Sequence, residues 1–247
     1  MTGARKIIIT RPKRDADLFA EQIIQQIGGV DRNEIIFSPV LDITPATIIP
    51  CLDRVTAFAF TSANGVRALA PHLTGVYLSM PSFVVGPASA QAARDAGFST
   101  VFEAGGDVDS LTSLIVHHAP KIPECMVYHG AGSVIRGNLV GTLRARKIAA
   151  RHEAIYQADP LPGLSAGAHQ ALSSSFSGGP EIIVTLFSPR SGRLFCEQVG
   201  KAGLSKQLAN CHAYCLSEAV EQSVTGFDAV KIATAQTMNA LIDLLKP

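Results

Sequence analysis

Residues 60–69 read FTSANGVRAL and residues 186–195 read LFSPRSGRLF. Each places an aromatic residue and a Ser at the end of an apolar run, with Gly and Arg following. The parallel continues outward. VVGPASAQAARDAGFSTVFEA (84–104) matches CLSEAVEQSVTGFDAVKIA (215–233), two residues shorter, and a helical stretch with LTSLI (111–115) or ALIDLL (240–245) closes each unit. This internal repeat predicts two lobes of related fold.

Short β-rich runs alternate with helical patterns from end to end, the signature of parallel α/β architecture. Strands are expected at 6–10, 57–61, 82–85, 100–103, 125–128, 182–187, 213–216 and 229–233. Helical stretches are expected at 15–27, 88–96, 111–118, 137–146 and 237–245; in the last, Met238, Leu241, Ile242 and Leu245 share one face. Two segments break the alternation. IIFSPVLDI (35–43) is extended and carries Pro39, and EAIYQA (153–158) is followed by Pro160 and Pro162. Both read as connectors between lobes rather than as strands of a central sheet. On that reading the chain crosses to a second lobe at the first and returns at the second.

The 247 residues carry 21 basic and 20 acidic side chains, with 47% apolar residues, 21 Gly and 14 Pro. That composition supports a packed core and excludes disorder. The balanced charge excludes a whole-surface basic field for nucleic acid, and no polybasic run addresses a membrane surface. Every apolar run stops well short of the ~20 residues that span a bilayer. The N-terminal MTGARKIIITRPKR is too short in apolar residues for a signal sequence. Five Cys (51, 125, 196, 211 and 215), an odd number lying mostly inside apolar runs, read as reduced buried thiols of a cytoplasmic protein.

The residues after successive strands are the informative ones: Thr10-Arg11-Pro12, Thr61-Ser62-Ala63-Asn64-Gly65, Gly86-Pro87-Ala88-Ser89, His129-Gly130-Ala131-Gly132-Ser133, Ser188-Pro189-Arg190-Ser191-Gly192-Arg193 and Ser217-Glu218. In open parallel sheets the ligand crevice lies at the carboxyl ends of the strands. Small residues there admit a ligand to the backbone, and helix-opening N–H groups favour anions. Ser, Thr and Asn are also preferred helix N-caps. Recurrence of the pattern in both halves favours an anion-binding cleft. Arg11, Arg67, Arg136, Arg190 and Arg193 lie on or near these loops, where an Arg is either a solvated charge or a bidentate carboxylate ligand. Tyr156, on the second connector, either packs or presents a phenol to the cleft.

Nucleotide and metal signatures fail. After Gly130 and Gly132, a GxGxxG needs Gly at the position of Ile135, and a phosphate loop from Gly132 to Gly137 continues with Asn138 and Leu139 instead of Lys and Ser or Thr. Cys211, His212 and Cys215 cluster on a buried strand without a second ligand pair. His117 and His118 fit a helix-end dipole contact. Ser188 is not in a G-x-S-x-G elbow.

Taken together, ITRP (9–12), FTSANGVRAL, VVGPASAQAARDAGF, AGSVIRGNL (131–139), IYQA (155–158), LFSPRSGRLF and CLSEAV with KIATAQTMNALIDLL resemble uroporphyrinogen-III synthases, in family order over nearly the whole chain. The resemblance implies two flavodoxin-like parallel-sheet α/β lobes joined by a two-segment extended β linker: residues 1–35 plus 159–247, linker strands 36–43 and 153–158, and residues 44–152. It implies closure of the linear tetrapyrrole hydroxymethylbilane, with inversion of ring D, to uroporphyrinogen III and water. It also implies a monomer with no metal or organic cofactor, whose partner is this polycarboxylate substrate. By position, Tyr156 matches a linker tyrosine that assists hydroxyl loss, Ser62, Ser89 and Ser188 match hydroxyls facing the cleft, and Gly86, Gly130 and Gly132 match close backbone approach. Arg11, Thr61, Asn64, Ser191 and Ser217 complete the expected substrate-binding set. The sequence departs from the family where Ser133 replaces a frequent arginine and where Ser217-Glu218 replaces Gly-Pro. Two other classes remain open at this point: a non-catalytic two-lobed anion-binding module, and a glycosyltransferase-like enzyme, which would need a nucleotide pocket.

Overall fold

A computed structural model describes residues 5–47, 49–135, 137–176 and 178–246. The chain runs β1 (Arg5–Ile9), α1 (Lys13–Gln26), β2 (Ile35–Phe37), β3 (Leu41–Pro45), β4 (Ala57–Phe60), α2 (Ala63–Leu69), α3 (Gly75–Leu78), β5 (Ser82–Val84), α4 (Pro87–Asp95), β6 (Val101–Glu103) and α5 (Val108–His118). It continues with β7 (Met126–Gly132), α6 (Leu139–Ala145), β8 (Ala149–Pro160), α7 (Ala166–Ser173), β9 (Glu181–Leu186), α8 (Pro189–Lys201), β10 (Cys211–Cys215), α9 (Glu218–Glu221), β11 (Ala229–Ile232) and α10 (Met238–Asp243). The chain divides into two compact units, Met1–Asp42 with Asp159–Pro247, and Ile43–Ala158.

The first unit holds a five-stranded sheet in the order β2-β1-β9-β10-β11, parallel throughout. Strands covered on both faces carry continuous apolar runs, and β1 does so with Ile7, Ile8 and Ile9, all fully buried. The strand period of two divides them. Ile8 packs with Val184 and Ala213 on one face; Ile7 and Ile9 pack with Ile183, Tyr214 and Phe19 on the other. In local numbering this is the 2-1-3-4-5 order of flavodoxin-like sheets.

The second unit holds six strands in the order β3-β8-β7-β4-β5-β6. Counting β4 as its first strand, the five parallel members read 3-2-1-4-5 in spatial sequence with β7 and β8 numbered last, so the flavodoxin-like order expected for both lobes holds only in the first. The β3–β8 pair is antiparallel: Ala46 N–H donates to Ile155 and Leu161 N–H donates to Val40, one index rising as the other falls.

Aligning the repeat explains the difference in order. It pairs β4 with β9, β5 with β10 and β6 with β11, which leaves β7 opposite β1 and β8 opposite β2. Both sheets then have one spatial order, with the same positions filled in a permuted chain sequence.

Two expectations need correction. The segment 35–43 is not wholly outside the sheets, because Ile35–Phe37 pairs in parallel with Ile7–Ile9 as an edge strand. Its apolar residues complete that edge, and Pro39, which has no N–H, falls where β2 has ended. Strand β7 runs to Gly132 instead of ending near 128, because β8 pairs with it along its whole length. The second connector is correspondingly part of the longer β8.

Of the five free cysteines, Cys211 and Cys215 are buried and Cys125 and Cys196 half-buried, whereas Cys51, on the connection between β3 and β4, is exposed. Burial raises the Cys211 thiol to about 11 and, aided by Glu221, the Cys215 thiol to about 12. No helix among the described residues is long and apolar enough to cross a membrane.

Gly65 ties α2 to β7. A Cβ there would lie 2.5 Å from the Gly130 carbonyl oxygen, a backbone atom that cannot swing aside. Gly65→Ala is therefore expected to cost about 1–3 kcal/mol in urea denaturation. Gly28→Ala, where a Cβ meets nothing within 4 Å, should change little; equal effects would mean α2 is not seated as described.

Candidate functional site

A parallel sheet opens a crevice where adjacent strands send their connections in opposite directions. In the first unit that point lies between β1 and β9, and in the second between β4 and β7. The polar residues singled out from sequence fall largely at these two places.

At the second switch point Ser62 ends β4 and caps α2, its Oγ accepting from Gly65 N–H at 3.2 Å. The same Oγ lies 2.9 Å from the Tyr156 hydroxyl. Having accepted from Gly65, Ser62 can donate its single proton to the phenol oxygen, which frees the phenol proton to point elsewhere. Tyr156 stands on β8 beside Gly132 of β7. A Cβ on Gly132 would lie 2.9 Å from the Tyr156 ring, and one on Gly130 would lie 2.6 Å from the Ile155 side chain. Both glycines are buried. The neighbours that approach their backbone so closely are Ile155 and Tyr156, which corrects the expectation of space kept for a ligand. Ser133 N–H, donating to the Tyr156 carbonyl at 3.0 Å, holds the same point of β8. Asn64 accepts from Arg67 at 3.1 Å one turn into α2.

On the opposite face of these strands lies a pair of histidines, His129 of β7 and His152 of β8. His129 is 2% exposed, its Nε2 is 3.3 Å from Thr61 Oγ1, and its ring centroid is 5.4 Å from that of His152. Burial, then the neighbouring His152, pushes His129 down to about 4. Burial also lowers His152, opposed by a hydrogen bond to the Gly132 backbone and by the Glu153 charge. Only the strand extension to Gly132 reveals this pair, since a His after a strand end reads as solvated. Glu153 in turn accepts from the Tyr128 hydroxyl at 2.7 Å.

The lowered His129 carries a pH signature. Between pH 6.5 and 4 the unfolded chain binds a proton there that the folded protein refuses, so stability falls with falling pH in that window. Wild type is expected to lose about 2–3 kcal/mol more than His129→Gln between pH 7 and 4.5, measured by urea denaturation. Parallel losses in the two proteins would show that His129 titrates normally.

At the first switch point Arg11 follows β1. Its guanidinium lies 4.3 Å from the centroid of Phe187, pairs with Asp15 at 3.1 Å and reaches Met238 Sδ at 3.5 Å. Ser188 caps α8 by accepting from Ser191 N–H at 3.1 Å, and its Oγ is 2.8 Å from Ser191 Oγ. Ser191 is buried, so its hydroxyl serves this turn.

Gly86, Ser89 and Ser217 lie one strand away from the switch points, at the ends of β5 and β10. Gly86 is extended and opens α4, with room for a Cβ, while Ser89 is 4% exposed in the first turn of that helix. Ser217 opens α9 without a capping side-chain bond. Arg136 lies outside the described residues. His118 packs against Phe102 with ring centroids 4.1 Å apart and planes tilted by 38°, a ring contact beyond the expected dipole interaction. Among the described residues no group of three His, Cys, Asp or Glu could hold a metal. Alternation along β10 sends Cys211 and Cys215 to one face and His212 to the other, where His212 meets Glu181 and Asp228.

Two doubly wound, predominantly parallel sheets, each gathering hydroxyls and glycines at its switch point, define a two-unit α/β protein. A family model described as Uroporphyrinogen-III synthase HemD matches residues 24–243. The chain belongs to the uroporphyrinogen-III synthase family, cyclising lyases of tetrapyrrole biosynthesis. Its fold is similar to uroporphyrinogen-III synthetase from Helicobacter pylori, with a TM-score of 0.63 and 16% identity over 98% of both chains. It is also similar to a mutant uroporphyrinogen III synthase from the extremely thermophilic bacterium Thermus thermophilus, with a TM-score of 0.56 and 16% identity over 98% of this chain and 97% of that one. No curated protein matches the sequence. The activity is closure of hydroxymethylbilane to uroporphyrinogen III with inversion of ring D and release of water.

Proposed function

We propose that this synthase works chiefly by holding a folded, multiply anionic chain in the pose that leads to inversion, with Tyr156 supplying a proton to the departing hydroxyl. The Ser62–Tyr156 contact at the second switch point carries the reading: Ser62, fixed as a helix cap, can accept from Gly65 and donate to the phenol oxygen, so the phenol proton is available to substrate. Protonation lets the terminal C–O bond break to give water and an azafulvene cation. Attack on that cation by the substituted α-carbon of ring D forms a spiro intermediate. The bond from that carbon to the ring C methylene breaks to leave a second azafulvene cation, ring D turns, and its free α-carbon closes the macrocycle with loss of a proton. Water loss is intrinsically easy and the uncatalysed product is the uninverted isomer, so orientation is the main task. Such effects reach up to ~7–11 kcal/mol in principle.

In this proposal Ser62 and Asn64 line the substrate side of the second switch point, and Thr61 supports them from the other face, where its hydroxyl meets His129. Gly86 contributes its backbone N–H at the opening of α4, where Ser89 N–H closes the first turn by donating to the Gly86 carbonyl at 3.0 Å. Arg11, Ser188, Ser191 and Ser217 mark the first unit's strand ends, with Arg11 meeting a carboxylate. Gly130 and Gly132 act through the seat they leave for Ile155 and Tyr156. Residues 38–43 and 153–158 act as the linker segments, and the enzyme works as a cytoplasmic monomer without a nucleic-acid partner, the last of which its balanced charge supports.

The test is a coupled assay in which a deaminase generates hydroxymethylbilane, this protein is added, and the oxidised products are separated chromatographically. Predominant type III isomer is expected. Type I alone, from folded protein, would leave a fold kept for binding.

A further inference from the structure

His129 and His152 take no part in the chemistry proposed above, yet two imidazoles lie largely out of water beside the switch point. His129 is cross-strand partner to His152 in the β7–β8 register. Alternation puts them on the face of the sheet that packs Ala57, Ala59, Val127 and Ala150, whereas Phe60, Ile155 and the Tyr156 ring lie on the other. His129 nevertheless holds a residue on whose neighbour Tyr156 depends. His129 Nε2 lies 3.3 Å from Thr61 Oγ1, and the next residue, Ser62, meets the Tyr156 hydroxyl. The His152 ring packs 5.4 Å from that of His129 on the same face. His129 therefore fixes the hydroxyl end of the seat.

We propose that His129 is a positioning residue for Tyr156, clamping from the opposite face of the sheet, through Thr61, the end of β4 whose Ser62 meets the phenol. The proposal rests on Tyr156 being the proton donor, and its test separates the two. A displaced phenol should slow the chemical step without weakening substrate binding, because neither histidine lies on the substrate side.

Steady-state kinetics of the full chain in the coupled assay would compare His129→Leu, His129→Gln, His129→Asn, Tyr156→Phe and the double variant His129→Leu/Tyr156→Phe. His129→Leu is expected to lower kcat on the order of tenfold to a hundredfold, with KM within about twofold. A glutamine places its amide nitrogen near the Nε2 position and should retain most of the rate, whereas the shorter asparagine cannot reach Thr61 and should behave as leucine does. The Gln–Asn contrast decides the matter if the leucine variants do not fold. The double variant should be no slower than Tyr156→Phe alone, since only a placed phenol can be misplaced. Multiplying losses in the double variant, or equal rates for Gln and Asn, would overturn the clamp while leaving Tyr156 as donor. A Tyr156→Phe enzyme with the native rate would remove the donor and the clamp together.

Discussion

A Tyr156→Phe enzyme is expected to keep its fold, still form the type III isomer, and turn over about a hundredfold more slowly. A positioned acid contributes ~10²–10⁴-fold, and a substrate whose hydroxyl leaves readily should sit at the low end of that range. A hundredfold is about 2.7 kcal/mol of transition-state stabilisation. The substitution is local. The ring still rests on Gly132, Ser62 still accepts from Gly65 N–H, and only the hydroxyl 2.9 Å from Ser62 is removed. Initial rates with isomer analysis and a circular dichroism spectrum check it. Complete loss with an intact fold would show that proton delivery, and not orientation, dominates. An unchanged rate would move the acid elsewhere.

The second large effect concerns the core beneath that site. Phe58 is fully buried, with edge-on contacts to Phe98 at 5.5 Å, Tyr128 at 6.0 Å and Tyr77 at 6.3 Å, and a stacked contact to Phe60 at 6.2 Å. Four rings around one leave no small residue able to close the space. Phe58→Ala should cost about 3–5 kcal/mol, read as a lower midpoint in chemical denaturation. Val76→Ala, at a side chain 68% exposed, should stay within about 0.5 kcal/mol of wild type. A Phe58→Ala cost below about 1 kcal/mol would mean that the aromatic cluster does not pack as described.

Much of this architecture is written locally. The Ile7–Ile9 run and the apolar AFAF of β4 announce strands buried on both faces, and the FTSANGVRAL and LFSPRSGRLF pairing foretells that β4 and β9 occupy equivalent places. What escapes a linear reading depends on partners distant in the chain. His129-Gly130-Ala131-Gly132 has the composition of a loop and is a strand because β8 pairs along it. The glycines at 130 and 132 look reserved for a ligand until Ile155 and Tyr156 are seen against them. Ser191 is indistinguishable in sequence from an exposed loop serine, yet its burial and its bond to Ser188 make it part of a helix cap. Arg11 was legible as a cation at a strand end, but its stacking on Phe187 was not, because that ring comes from the far half of the chain.

The permuted connectivity has a consequence for how the protein is made. The unit Ile43–Ala158 is continuous in the chain and can complete its core while the remainder is still being synthesised. The other unit cannot. Between the end of β2 at Phe37 and the start of β9 at Glu181 the ribosome adds about 140 residues, which takes roughly 7–30 s at typical elongation rates. Throughout that interval β1 lacks its β9 neighbour, and the apolar faces of Ile7, Ile8 and Ile9 lack the helices and strands from the distal half that cover them. A nascent chain caught in this state offers an unpaired apolar edge, so slow decoding or a shortage of chaperone should endanger β1 most, although it ends up flanked on both sides in the finished sheet.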